Sequence, residues 1–149
     1  MGLSINKISQ RYLDAVLKSL PEIIIVLDEN ANYLDIVTSD SDDLVDNKEN
    51  LIGKNVAQIL PKKTAAEFSK YCELCTENDE IYSFEYSLKI AKGIQHFSVY
   101  FSPVKLQDID KKAAVATIRN ITELKRTEQR LKEQKAYFKQ LFNNSTEAI

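Results

Sequence analysis

The chain has 149 residues, 44% of them hydrophobic, and 20 basic side chains against 22 acidic ones give a formal charge of -2. No apolar run approaches the ~18 residues that a membrane-crossing helix needs, and Lys7, Arg11, Asp14 and Lys18 interrupt the opening segment, so neither a membrane span nor a signal peptide is expected. The near-neutral balance gives no electrostatic reason to expect a nucleic-acid partner, and two cysteines are too few for a disulfide framework, so a cytoplasmic domain with helical extensions is expected.

In chain order, Ile5, Ile8, Tyr12, Val16 and Leu20 recur at helical spacing before Pro21, which predicts an N-terminal amphipathic helix over residues 1–20. Two β-branched runs follow, separated by Asp28 to Asn32, a composition that predicts a turn and an antiparallel pair. Strict alternation in the second run would put Leu34 and Ile36 on the inner face. Asp40 to Asn50 is acidic and irregular, with Leu44 and Val45 as anchors for a short helical turn. The segment after Pro61 sets Ala65, Phe68, Cys72 and Cys75 on one helical face with Tyr71 beside it.

After Asn78 the period changes from helical to alternating. Tyr82, Phe84, Tyr86, Leu88 and Ile90 share one side of a strand, Lys92-Gly93 supplies a turn, and Phe97, Val99 and Phe101 point inward from the next strand until Pro103 disturbs the ladder. A polar loop, QDIDKK, leads to a last strand, AAVATIR. Five strands with helices over one face predict an α+β fold built on one antiparallel sheet. The stretch IRNITELKRTEQRLKEQKAYF then passes from sheet to a charged helix without Gly or Pro. Leu124, Leu131 and Phe138 repeat every seven residues, with Thr127, Gln134 and Leu141 three further on, a heptad that suggests a coiled coil of marginal strength, the alternative being a solvated linker helix with accidental spacing; with the apolar stripe of Ile5 to Leu20 it leads to the expectation of a homodimer. Basic and acidic side chains alternate along this helix, as on a solvated, salt-bridged face.

Three stretches, LIGKNVAQILP, SFEYSLKIAKGIQHFSVYFSPV and IRNITELKRTE, resemble the motifs of PAS domains, in order and in spacing. The resemblance spans roughly Leu20 to Lys125 and implies a core over residues 21–122, a signalling helix over 123–143, and in LFNNSTEAI, from 144 onward, the opening of a following domain. It also implies a five-stranded PAS-like sheet, a sensory role, and a downstream output domain such as a histidine kinase or a cyclic-dinucleotide enzyme. Asn120, Thr122, Glu123, Leu124 and Leu131 fall where the family passes its signal to the helix. The sequence departs from the family at three positions: Asn120 stands for the usual Asp, Ala31 for a Gly in the first hairpin, and Lys92 for an Asp in the second. Asn120 retains the capacity to cap a helix, with Glu123 as the reciprocal half of a capping box, while Asn30 and Gly93 can supply positive φ in the two turns.

No catalytic constellation is visible. Cys72 and Cys75 match C-x-x-C but lie inside a helix with no second pair for zinc, which favours core packing over a thiol-redox role. His96, the only histidine, is expected on the outer side of its strand, and the long helix that carries a heme ligand in some PAS domains has no histidine. The NCRFLQ motif of light-sensing flavin members is absent too. The remaining candidate is a cavity for a small ligand among Leu34, Ile36, Phe68, Tyr71, Phe84, Tyr86, Phe97 and Phe101, with the alternative that these side chains simply fill a core of a ligand-free dimerisation module.

Overall fold

The computed structural model describes residues 10–13, 15–16, 22–38, 43–106 and 111–147. Most of the expected N-terminal helix lies outside them, although residues 10–13 and 15–16 are helical and expose Tyr12, Leu13 and Val16. Five strands follow with β1 at Ile23–Asp28, β2 at Tyr33–Val37, β3 at Tyr82–Ile90, β4 at Gly93–Leu106 and β5 at Lys111–Asn120. They form one sheet in the order β2-β1-β5-β4-β3, and every neighbouring pair is antiparallel. Between β2 and β3 lie α1 at Lys48–Leu51, α2 at Val56–Ile59 and α3 at Lys62–Asn78, and α4 at Thr122–Glu147 leaves the end of β5.

β1 is buried on one side only: Ile23, Ile25 and Leu27 face the core while Ile24 and Val26 stay half-buried on the other face. This is the alternation a sheet shows when one face carries helices. α3 covers that face. Its Ala65, Phe68, Cys72 and Cys75 recur at three- and four-residue intervals and are all buried, and they meet Val99, Phe101, Ala114 and Ala116 of the central strands in one core cluster. Ala114 and Ala116 keep β5 low enough for the bulky aromatics of α3 and β4 to pack over it.

Three details depart from the alternation and turn rules applied to the sequence. Leu27 pairs with Tyr33 but Val26 pairs with Asp35, so Leu34 is an extra residue in β2. Such a bulge reverses the side-chain parity across it, so Tyr33 and Ile36 both face the core while Leu34 points out at 41% exposure. Positive φ in the first turn falls on Ala31, at 63°, rather than on Asn30, because the Asp28 carboxylate accepts the N–H groups of Asn30 and Asn32 and sets the turn around them. In the second hairpin Gly93, at 101°, takes the positive φ as expected. β4 also runs straight through Pro103. Its partner β3 has already ended, with Tyr82 opposite Phe101, so the proline stands on an open edge where no N–H is missed.

The short helices are tied to the first hairpin. Tyr33 exchanges backbone hydrogen bonds with the loop after α1, its N–H reaching Lys54 at 2.8 Å and its carbonyl accepting from Gly53 at 2.8 Å. Asn55 accepts the Ala57 N–H, has its own N–H held by the Gln58 side chain, and donates to Asn30 and Asn32. The LIGKNVAQILP motif thereby acts as a clasp, holding Leu51 and Leu60 against the sheet.

Candidate functional site

Between the inner sheet face and the helices lies a small cavity of about 30 Å³. Ile23 and Ile25 of β1, Tyr33 of β2, Leu88 of β3 and Ile118 of β5 form its floor. Leu51 and Leu60 flank it, Phe68, Tyr86 and Phe97 make an aromatic wall, and Asp43, Leu44 and Val45 close the remaining side. A space of this size is enough for a water, which needs roughly 10–15 Å³ by the same measure, and is far below the ~300 Å³ of an open small-molecule pocket.

The volume is small because the aromatics pack on one another. Phe68 meets Phe84, Tyr86 and Phe101 edge-on at centroid distances of 5.5, 5.2 and 5.3 Å, while Tyr86 stacks on Phe97 at 5.4 Å. These are favourable offset and edge geometries, each contributing about 0.5–1.5 kcal/mol beyond burial. Of the eight side chains expected around a ligand, Phe68, Tyr86 and Phe97 line the cavity. Ile36 and Phe101 are buried beyond it, and Phe84 with Tyr71 forms a partly exposed stack at 5.0 Å toward the sheet edge. Leu34 is turned away by the bulge.

Sequence reasoning missed Tyr33 and Asp43. Tyr33 was hidden by the bulge, and Asp43 by the acidic, solvent-like composition of its neighbourhood. Burial pushes the Tyr33 hydroxyl up from its ordinary range to about 12, and raises that of Tyr86 as well, so both are neutral donors at ordinary pH.

Asp43 links the cavity to the end of the sheet. One of its carboxylate oxygens accepts from Lys92 Nζ at 3.0 Å and from Asn120 Nδ2 at 3.2 Å. Asn120 Nδ2 also donates to Gln95 Oε1 at 3.1 Å, while its oxygen accepts the Thr122 N–H at 3.0 Å and the Thr122 hydroxyl at 2.6 Å. The Thr122 hydroxyl oxygen in turn accepts the His96 N–H at 2.9 Å. Asn120 therefore does satisfy a free N–H at the start of α4, but from one position further out than a capping box requires. The first intrahelical bond runs from the Lys125 N–H to the Ile121 carbonyl, and Glu123 pairs with Arg126 at 2.6 Å instead of returning to Asn120. A second tie to the sheet is the ion pair of Lys125 with Glu85 at 2.8 Å.

Beyond this first turn α4 continues through residues 144–147 and leaves Leu124, Leu131, Tyr137, Phe138, Leu141 and Phe142 exposed. Cys72 and Cys75 are fully buried, and the Cys72 thiol donates to the Asp28 carbonyl at 3.1 Å. Burial is the main reason that the Cys72 thiol is pushed up to about 12 and that of Cys75 is raised, which withholds the thiolate needed for redox or nucleophilic chemistry. His96 is half-exposed on the outer face, its Nδ1 2.8 Å from Ser87 Oγ.

A sheet of this order, clasped by short helices and ending in a helix capped from the sheet, is the arrangement of a PAS-like fold. The family model described as the PAS fold matches residues 17–126, and the chain belongs to the PAS family. No curated protein matches it in sequence. Among solved structures it is similar to the PAS domain of an HTR-like protein from Haloarcula marismortui, at 17% identity and a TM-score of 0.59 over 77% of this chain and 99% of that one. It is also similar to the PAS domain of the quorum-sensing receptor RpfR from Cronobacter turicensis in complex with BDSF, at 18% identity and a TM-score of 0.55 over 70% and 97%. A sensory box sensor histidine kinase from Vibrio cholerae shares 11% identity and a TM-score of 0.54 over 82% and 99%.

Proposed function

We propose that this chain is a sensory PAS domain which takes a small ligand into the cavity beside Tyr86 and passes the change through α4 to an output domain of the same polypeptide. The observation that carries this reading is the position of Asp43, which lines the cavity and at the same time bonds Asn120, whose side chain holds the first N–H of α4. A change in the cavity wall thus has a short polar route to the helix start, through Asn120 and Thr122. Similarity to a PAS domain in complex with BDSF and to a sensor histidine kinase supports the same role, with a histidine kinase or a cyclic-dinucleotide enzyme as the output class. Leu124, Leu131 and Phe138 lie on an exposed heptad face, which supports pairing of α4 with a second copy as a weak coiled coil. Glu123 belongs to the same first turn and holds Arg126 there.

The cavity's present volume favours a second reading, a ligand-free dimerisation module, because a filled core needs no guest. Native mass spectrometry of the purified protein discriminates between the two. A stoichiometric small-molecule adduct, lost on denaturation, is the result expected of the sensor. An unliganded dimer that no metabolite extract alters would support the module and overturn the sensor.

A further inference from the structure

Asp43 is the only charged side chain on the cavity wall among the described residues, and it is negative. The other polar side chains among the lining residues are those of Tyr33 and Tyr86. Lys92 reaches Asp43 from the β3–β4 turn with its side chain 38% exposed, whereas the Asp43 side chain is 14% exposed. The wall thus carries an acidic residue, and its cationic partner is the more exposed of the two. Resting on the sensor reading above, we propose that the cavity selects a compact, ring-sized, non-anionic ligand carrying a hydroxyl, amide N–H or ammonium donor, with Asp43 as the residue that recognises it.

Three physical points lead there. Burying an anion in an apolar cavity without a facing cation is costly, and a neighbouring carboxylate adds repulsion, so a carboxylate-headed guest is rejected. A donor-bearing guest meets the reverse situation, since a hydrogen bond to an ionised acceptor in a dry site is among the strong ones. The aromatic wall of Phe68, Tyr86 and Phe97 favours a flat, apolar body. A ring needs on the order of 150 Å³, so the wall must yield. Leu44 and Val45 belong to no helix or strand, so displacing them breaks no backbone ladder.

Asp43 Oδ1 already accepts from Asn120 and Lys92, so a ligand donor that takes this oxygen competes with Asn120 for it. Recognition of the ligand then loosens the hold on the Asn120 side chain that caps the helix.

The test uses three probes with one ring and different heads: benzyl alcohol, benzylamine and benzoate. Binding to the full chain is followed by the methyl NMR shifts of Ile25, Leu44 and Leu51. Benzyl alcohol and benzylamine are expected to move these methyls, with benzoate weaker by roughly tenfold or more, the scale of one lost charge-assisted hydrogen bond. Asp43→Asn should narrow that gap, and the wild-type series decides the matter even if the variant folds poorly. Benzoate binding as tightly as benzyl alcohol would overturn the ligand class while leaving the cavity as a site. No methyl shift with any probe would overturn both this class and the sensor reading beneath it.

Discussion

Asn120 Nδ2 donates to Asp43 Oδ1 across 3.2 Å, joining two residues that are 77 positions apart in the chain. An aspartate at 120, the family's usual residue, could not make this bond, because its carboxylate has no donor to offer the Asp43 oxygen. The asparagine is thus matched to the acid on the cavity wall. Asn120→Asp should destabilise the domain by about 1–3 kcal/mol at neutral pH, through the lost donors and the repulsion. Proximity raises the carboxylate pKa values in the folded state, so the loss should shrink as pH falls through the range near 4. Denaturant midpoints at pH 7 and pH 4 check this.

The buried thiols and phenols make the fold sensitive to alkali. Cys72 is pushed up from 9.0 to about 12 and Tyr33 from 10.0 to about 12, with Cys75 and Tyr86 raised as well. Groups raised in the folded state stay protonated there while the unfolded chain ionises. Their contribution is complete below the unfolded values and is lost as pH rises through the folded ones. The melting temperature should therefore decline from about pH 9 upward, and Cys72→Ala should flatten the first part of that decline.

The same burial governs thiol chemistry. Both cysteines should react with a thiol reagent only as fast as the core opens, and immediately in denaturant. Rapid labelling of the folded protein would place the thiols on the surface.

The aromatic wall should be uneven in its energetics. Phe68 and Phe97 are almost fully buried, at 2% exposure each, so replacement by Ala should cost roughly 3–5 kcal/mol at either position. Phe84, partly exposed at the sheet edge, should cost less. Tyr86→Phe should change stability little and weaken a hydroxyl-using guest. Chemical unfolding of the four variants separates these cases.

Ala31 is a buried L residue at φ 63°. Glycine there would remove about 1 kcal/mol of left-handed strain but also lose a buried methyl and loosen the unfolded chain, so Ala31→Gly should fall within about 1 kcal/mol of the parent. Ala31→Val should be clearly destabilising, because a branched side chain tolerates this conformation poorly. Thermal melts of the two variants check both statements.

Much of the sheet was legible because period-two runs in β3 and β4 and the helical spacing in α3 each carry a strong local signal. The aromatic side of the cavity was therefore visible in Phe68, Tyr86 and Phe97. Tyr33 was not, since a bulge at Leu34 costs one unpaired residue and leaves no mark on the apolar pattern. Asp43 was hidden for a different reason. An acidic stretch reads as solvated until its partners are known, and Lys92 and Asn120 lie 49 and 77 residues away. The cap of α4 was misplaced by one residue because Asn120 is still paired in β5, opposite Phe97, so the helix cannot begin until Ile121 has turned away from the sheet.

On this reading the cavity and the helix start communicate through Asp43 and Asn120. Residue-resolved amide exchange, measured with and without benzyl alcohol, tests it most directly. Occupancy of the cavity should speed exchange at Thr122, whose N–H is held by Asn120, and the effect should vanish in Asn120→Ala. If the cavity methyls respond to the probe while the Thr122 amide exchanges at its original rate, the pocket and the helix are independent.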